Sequence, residues 1–213
     1  MPLGHRSHVL LLHLSDTAIV SPNQTLTVFD NLLPTLSLPV FSVQAREDNS
    51  GYFAFGEVPS AGYAGDLHLL PIVPQEGYWA FISPIFTVSG ALNYNLGASI
   101  AVADTGTSLL VVDDNVAQAY YANVDGSYYD ESEACGGYCY PCDSDLPEFS
   151  VSMGDFLLEI PADILTYASV DDTNCYGSLQ NNLDVNGNSF GLQIYGDPVF
   201  RSAFIVFESS DDL

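Results

Sequence analysis

Residues 101–114 read Ala-Val-Ala-Asp-Thr-Gly-Thr-Ser-Leu-Leu-Val-Val-Asp-Asp. Two short apolar runs flank a cluster of turn residues, and each run reads as a strand. Asp104, Thr105 and Gly106 favour a turn. They set a carboxylate at the point where a buried strand ends. A carboxylate taken out of water carries a large desolvation cost unless something pairs it or uses it. A chain built around this stretch therefore needs a β-rich core on both sides of the turn and a partner or a task for Asp104.

The rest of the chain supplies such a core. Its 213 residues are 47% hydrophobic and 12% aromatic, enough to bury a sizeable interior. With 17 glycines and 12 prolines, the apolar runs are cut into many short pieces, which points to an all-β fold with a few short helices. Strands are expected at 39–45, 52–55, 66–73, 78–88, 99–103, 109–112, 148–152, 156–160, 191–195 and 204–207. A short helix is expected near 25–33. Asp113 and Asp114 read as capping acids that open an amphipathic helix over 116–124. Residues 125–145 read as a polar, cysteine-bearing loop and 161–165 as a helical turn. Asp197-Pro198 suits an N-cap followed by proline at the first helical position. No internal repeat is visible.

Charge narrows the function. There are 27 acidic residues against three arginines, and no lysine, for a net charge of −24. Neutralising nucleic-acid phosphates needs Lys and Arg, so no nucleic-acid partner is expected. Docking on anionic lipid is disfavoured for the same reason, and no apolar run reaches the length of a membrane span. Two readings fit the acidity: a solvated surface on a secreted protein, and work at acid pH, where protonation relieves self-repulsion. Val9-Leu10-Leu11-Leu12 is too short for the apolar region of a signal peptide. Residues 1–13 are left as an unassigned N-terminal extension.

The cysteines, Cys135, Cys139, Cys142 and Cys175, allow three disulfide pairings or a tetrahedral zinc site. The acidic, lysine-free background favours disulfides and an extracellular or vacuolar compartment. Asn23-Gln24-Thr25 is a glycosylation sequon consistent with that route. After residue 13 the one histidine is His68, which disfavours a serine or cysteine triad.

From Ala103 to Leu110 the chain resembles the second active-site loop of the pepsin-like aspartic proteases, closest to their fungal, aspergillopepsin-like branch. Further stretches match in order. Thr17–Pro22 and Thr27–Asn31 resemble the segment joining the family's two lobes. Phe41-Ser42-Val43, Tyr52–Gly56 and Gly77-Tyr78-Trp79 resemble early strands of the C-terminal lobe. Pro141-Cys142-Asp143 and Leu146-Pro147 resemble its disulfide loop, and Ile194–Asp197 through Phe207 its final helix and strand. The resemblance runs from about residue 14 to 213 and implies a C-terminal lobe.

The resemblance implies acid hydrolysis of peptide bonds in a protein or peptide substrate, with no metal and no cofactor. Asp104 is then one of two catalytic carboxylates that share a proton, as the paired aspartates of pepsin do. Gly106 permits the tight turn, and Thr105 holds the paired loops together. Thr107 and Ser108 support the carboxylate or line the cleft. Cys142 pairs with Cys175, leaving Cys135 and Cys139 bonded to each other or free. The departures are equally specific. Only one Asp-Thr-Gly is present, and Asp16-Thr17-Ala18 lies too close to Asp104 to head another lobe. Tyr195 stands where the family has a smaller aliphatic residue, and Pro198 where it has an aliphatic or β-branched one. The chain ends at 208–213, ahead of the family's last turn and strand, which predicts an unpaired strand edge. The second carboxylate has to come from an N-terminal lobe or from a second copy; without either, the expectation is an inactive lobe that only binds.

Overall fold

The computed structural model describes residues 9–13 (as backbone), 27–46, 50–60, 63, 67–73, 78–132, 135–183 and 187–209. The sequon at Asn23 and the segments Thr17–Pro22 and Asp16–Ala18 lie outside the described residues. The chain divides into two compact units: residues up to Phe81 together with those from Ala203 onward, and Ile82–Ser202.

The described residues of the first unit include one sheet, a short α-helix and a 3-10 turn at Leu33–Thr35. Its strands are β1 (Val9–His13), β2 (Val40–Ala45), β3 (Gly51–Phe55) and β4 (Leu67–Leu70). They join the last described strand, Phe204–Glu208, in the order β3-β2-(204–208)-β1-β4. Helix α1 (Val28–Leu32) starts at a capping box in which the Thr27 hydroxyl accepts from the Asp30 N–H while Asp30 accepts from the Thr27 N–H. An aromatic cluster holds this unit: Phe41 stacks on Phe207 at 4.4 Å, and Trp79 meets Phe207 edge-on at 5.0 Å.

The segment left unassigned in the sequence has a place in the sheet. Residues 9–13, set apart as an extension, form a strand paired in parallel with 204–208 along its whole length, Val9 opposite Phe204 to His13 opposite Glu208. Strand 204–208 therefore lies in the middle of the sheet, flanked by β1 and β2.

Strand β5 (Ala80–Ile82) carries the chain from one unit to the next. The second unit contains β6 (Ile85–Val88), β7 (Ala91–Tyr94), β8 (Ile100–Ala103), β9 (Leu110–Val112), helix α2 (Asp114–Tyr121), β10 (Tyr128–Asp130), β11 (Gly137–Pro141), β12 (Phe149–Met153) and β13 (Phe156–Ile160). After a 3-10 turn at Ala162–Ile164 come β14 (Thr166–Ser169), β15 (Asn174–Gly177), β16 (Leu179–Asn181), β17 (Gln193–Tyr195) and helix α3 (Asp197–Ser202). Strand 204–208 is then β18. Within this unit β13-β12-β6-β7 and β10-β11-β15-β14 are antiparallel sheets, and β16-β9-β17-β8 is a mixed one. The core includes Tyr120, Tyr140, Phe149, Met153, Leu110 and Phe200, all fully buried.

The expected all-β class is what the chain adopts. The loop expected at 125–145 is instead partly β: it holds β10 and β11. β11 pairs through its backbone with β10 and β15, and a buried side chain adds further bonds to it. Gln180 is 5% exposed and acts as a peptide substitute. Its Oε1 accepts from the Tyr138 N–H at 2.8 Å, and its Nε2 donates to the carbonyls of Tyr138 and Gly177. Disulfides join Cys135 to Cys139 across the β10–β11 turn, and Cys142 to Cys175 between the end of β11 and β15. The sulfurs are thus taken up in pairs rather than in a metal tetrahedron.

Candidate active site

The opening stretch proves to be a strand, a loop and a strand that do not pair with each other. β17, from more than eighty residues downstream, lies between them. It runs parallel to β8, with Tyr195 opposite Ala103, and antiparallel to β9, with Tyr195 opposite Leu110. The loop 104–109 must therefore span two strand spacings, about 10 Å, which a two-residue hairpin turn could not.

Three backbone hydrogen bonds from the end of β17 hold that loop. The Asp104 N–H donates to the Tyr195 carbonyl at 3.1 Å, Gly196 N–H to Leu109 at 3.1 Å, and Asp197 N–H to Thr107 at 2.9 Å. Gly196 is needed for this approach: a β-carbon there would run into the carbonyl oxygens of Thr107 and Leu109. In sequence, Ile194-Tyr195-Gly196 reads as a second signal, with nothing to show that it touches the first.

The Asp104 carboxylate is half-buried and held by its own loop. Oδ1 accepts the Gly106 N–H at 2.9 Å, and Oδ2 accepts the Thr107 hydroxyl at 2.7 Å. Both donors favour a fixed carboxylate orientation. Thr105 and Ser108 are exposed, so their hydroxyls are available to something outside this loop. Among the described residues no group of His, Cys, Asp and Glu has the arrangement of a metal site.

Asp113, expected as a helix cap, behaves differently. It precedes α2 but its carboxylate makes no capping bond. It is 3% exposed and turned inward. Oδ2 accepts Asn95 Nδ2 at 2.7 Å and the Ser99 N–H at 3.2 Å, while Oδ1 accepts Asn182 Nδ2 at 2.8 Å. Amide donors from separate segments thus offset the desolvation of the charge. Ser99 has a positive φ of 57°, a conformation that side chains other than glycine rarely adopt, and its bond to Asp113 helps hold it. No local sequence signal could have identified these partners, since Asn182 is far away in the chain. Asp114 takes the helix-facing role instead, accepting from the Gln118 and Asn181 side chains.

Known proteins are similar to this chain over most of its length. Residues 11–213 match the family model of eukaryotic aspartyl proteases. The chain is similar to Aspergillopepsin-1 of Aspergillus oryzae, 32% identical over 202 residues that make up 95% of this chain and 50% of that protein. It is similar to Penicillopepsin-1 of Talaromyces stipitatus, 34% identical over 204 residues, 95% of this chain and 50% of the relative. A third relative, the aspartic protease pepA of Arthroderma otae, is 30% identical over 200 residues, 89% of this chain and 50% of that one. The chain belongs to the eukaryotic aspartyl protease family. It spans about half the length of the curated relatives it matches.

Proposed function

We propose that this chain is a C-terminal lobe that contributes Asp104 to an aspartate dyad hydrolysing peptide bonds in acid. The observation that carries the reading is the Asp104 carboxylate, gripped by Gly106 and Thr107 on a loop clamped by β17. Two carboxylates at contact distance share one proton, because both cannot ionise. The ionised member takes a proton from water, and the protonated member polarises the scissile carbonyl. Thr107 fixes the orientation of the Asp104 oxygens, and the exposed Thr105 reaches the facing loop. The second carboxylate comes from an N-terminal lobe, consistent with a chain half as long as its relatives. Two disulfides and the acidic surface suit an extracellular or vacuolar compartment.

The test is an assay at about pH 3–5 on a denatured protein, with the chain alone and refolded with the N-terminal half of Aspergillopepsin-1. Activity that needs the added half and is lost in Asp104→Asn supports the reading. Activity of the chain alone, rising with the square of its concentration, replaces the lobe partner with a second copy. No activity under any condition favours an inactive binding lobe.

A further inference from the structure

The loop that carries Asp104 hangs from the last residue of β17, and the side chain of that residue is anchored in an unusual way. Tyr195 is 1% exposed, and its hydroxyl lies 2.7 Å from Ser83 Oγ. Ser83 Oγ is 3.4 Å from Ser152 Oγ, which also accepts the Ile85 N–H at 3.0 Å. Ser83 is 2% and Ser152 3% exposed. A row of buried hydroxyls therefore runs from β17 to the start of β6 and into β12, linking two sheets. Ser83 is itself fixed, because its N–H donates to the Ser99 carbonyl at 2.7 Å and its carbonyl accepts from Gln193 Nε2 at 3.5 Å.

An apolar residue at 195 would pack just as deeply, but burial is non-directional and would leave its placement to packing and the β17 ladder alone. A hydroxyl in a hydrogen-bonded row has one preferred place. The carbonyl of this same residue accepts the Asp104 N–H, and the next two N–H groups hold Thr107 and Leu109. The side chain fixes Tyr195, and the Tyr195 backbone fixes the loop.

We propose that Tyr195 is a positioning residue for Asp104: its hydroxyl, bonded to Ser83 and through it to Ser152, sets where β17 holds the Asp-Thr-Gly loop. Burial pushes the Tyr195 phenol well above its ordinary value, with the Ser83 bond opposing, so the anchor keeps its proton across the whole acid range. The proposal gives the catalytic reading of Asp104 a structural support and rests on that reading for its functional meaning.

The experiment uses the intact chain labelled with nitrogen-15, with Tyr195→Phe, Ser83→Ala and Tyr140→Phe. Phe keeps the volume and shape of Tyr, and Ser83→Ala removes the partner without altering β17. Tyr140 is a matched control, a buried phenol whose hydroxyl bonds Thr166 Oγ1 at 2.7 Å in another sheet. Tyr195→Phe and Ser83→Ala should each speed hydrogen exchange of the Asp104, Gly196 and Asp197 amides on the order of tenfold, the effect of losing about one hydrogen bond. Both should also move the Gly106 amide proton upfield as its bond to Asp104 weakens, and Tyr140→Phe should do neither. The proposal is overturned if the two variants lower only the global unfolding midpoint, or if Tyr140→Phe gives the same local changes. An inactive wild-type protein after refolding with the N-terminal half would sink the catalytic reading and leave these amide results standing.

Discussion

At the scale of the residue, the candidate site turns on donors to one carboxylate. Thr107 is the side chain that reaches Asp104, at 2.7 Å, whereas the adjacent Ser108 is exposed. A hydrogen bond to a charged acceptor is worth roughly 1.5–3 kcal/mol. In a reconstituted enzyme, Thr107→Val should therefore lower kcat by about 10–100-fold, and Ser108→Ala by much less; steady-state kinetics on one peptide decides it. The tyrosines give a second, independent expectation. Burial pushes Tyr120, Tyr121 and Tyr195 up, and Tyr138 up to about 12. A raised folded-state value means that the native chain holds these protons more tightly than the unfolded chain. Their contribution is complete below about pH 10, the ordinary tyrosine value, and is lost as pH rises toward the folded values. In an alkaline titration followed by tyrosinate absorbance, these phenols should ionise together with unfolding; smooth ionisation in the folded state would contradict it.

Elements differ in how far their own residues specify them. β8, β9 and α2 are carried by apolar patterns, and their expected positions match the observed ones to within a few residues. β14, exposed throughout, and β10, with Tyr128 and Tyr129 turned to solvent, have no such pattern. They exist because the strands beside them, β11 for β10 and β15 for β14, supply backbone partners. The Cys142–Cys175 bond has a sequence separation of 33 and should stabilise the chain by about 3–4 kcal/mol on the loop-entropy account. Replacing both cysteines with serine should lower the unfolding free energy by about that amount. Replacing Cys135 and Cys139, separated by 4, should cost less. Denaturant melts of the two double variants make the comparison, and an equal or reversed ranking would reject it.

For the whole molecule, the net charge of −24 dominates behaviour in solution. Self-repulsion near neutral pH opposes folding and self-association alike. Raising salt from about 0.1 M to about 1 M shortens the screening length from about 10 Å to about 3 Å. The thermal midpoint should rise with salt at neutral pH and change little near pH 3, where most carboxylates are protonated. Calorimetry at both pH values tests this; the same salt response at both would mean that charge repulsion is not what limits stability.

The chain's own residues determined the β-rich class, the Asp-Thr-Gly turn and a short helix near 25–33, because each depends on residues a few positions apart. The donors Gly106 and Thr107 are local to Asp104, but tertiary structure alone decided what holds their loop. Nothing local in residues 101–114 indicates that β17 separates β8 from β9, since strand order is a contest among all apolar segments of the chain. The same holds for the inward turn of Asp113. A capping position beside a helix was the economical local reading, but the amides of Asn95 and Asn182 compete for the carboxylate once folding brings them together. In sequence Tyr195 stands out only as larger than the aliphatic residue the resemblance leads one to expect. It becomes an anchor only where Ser83, 112 positions away, meets its hydroxyl.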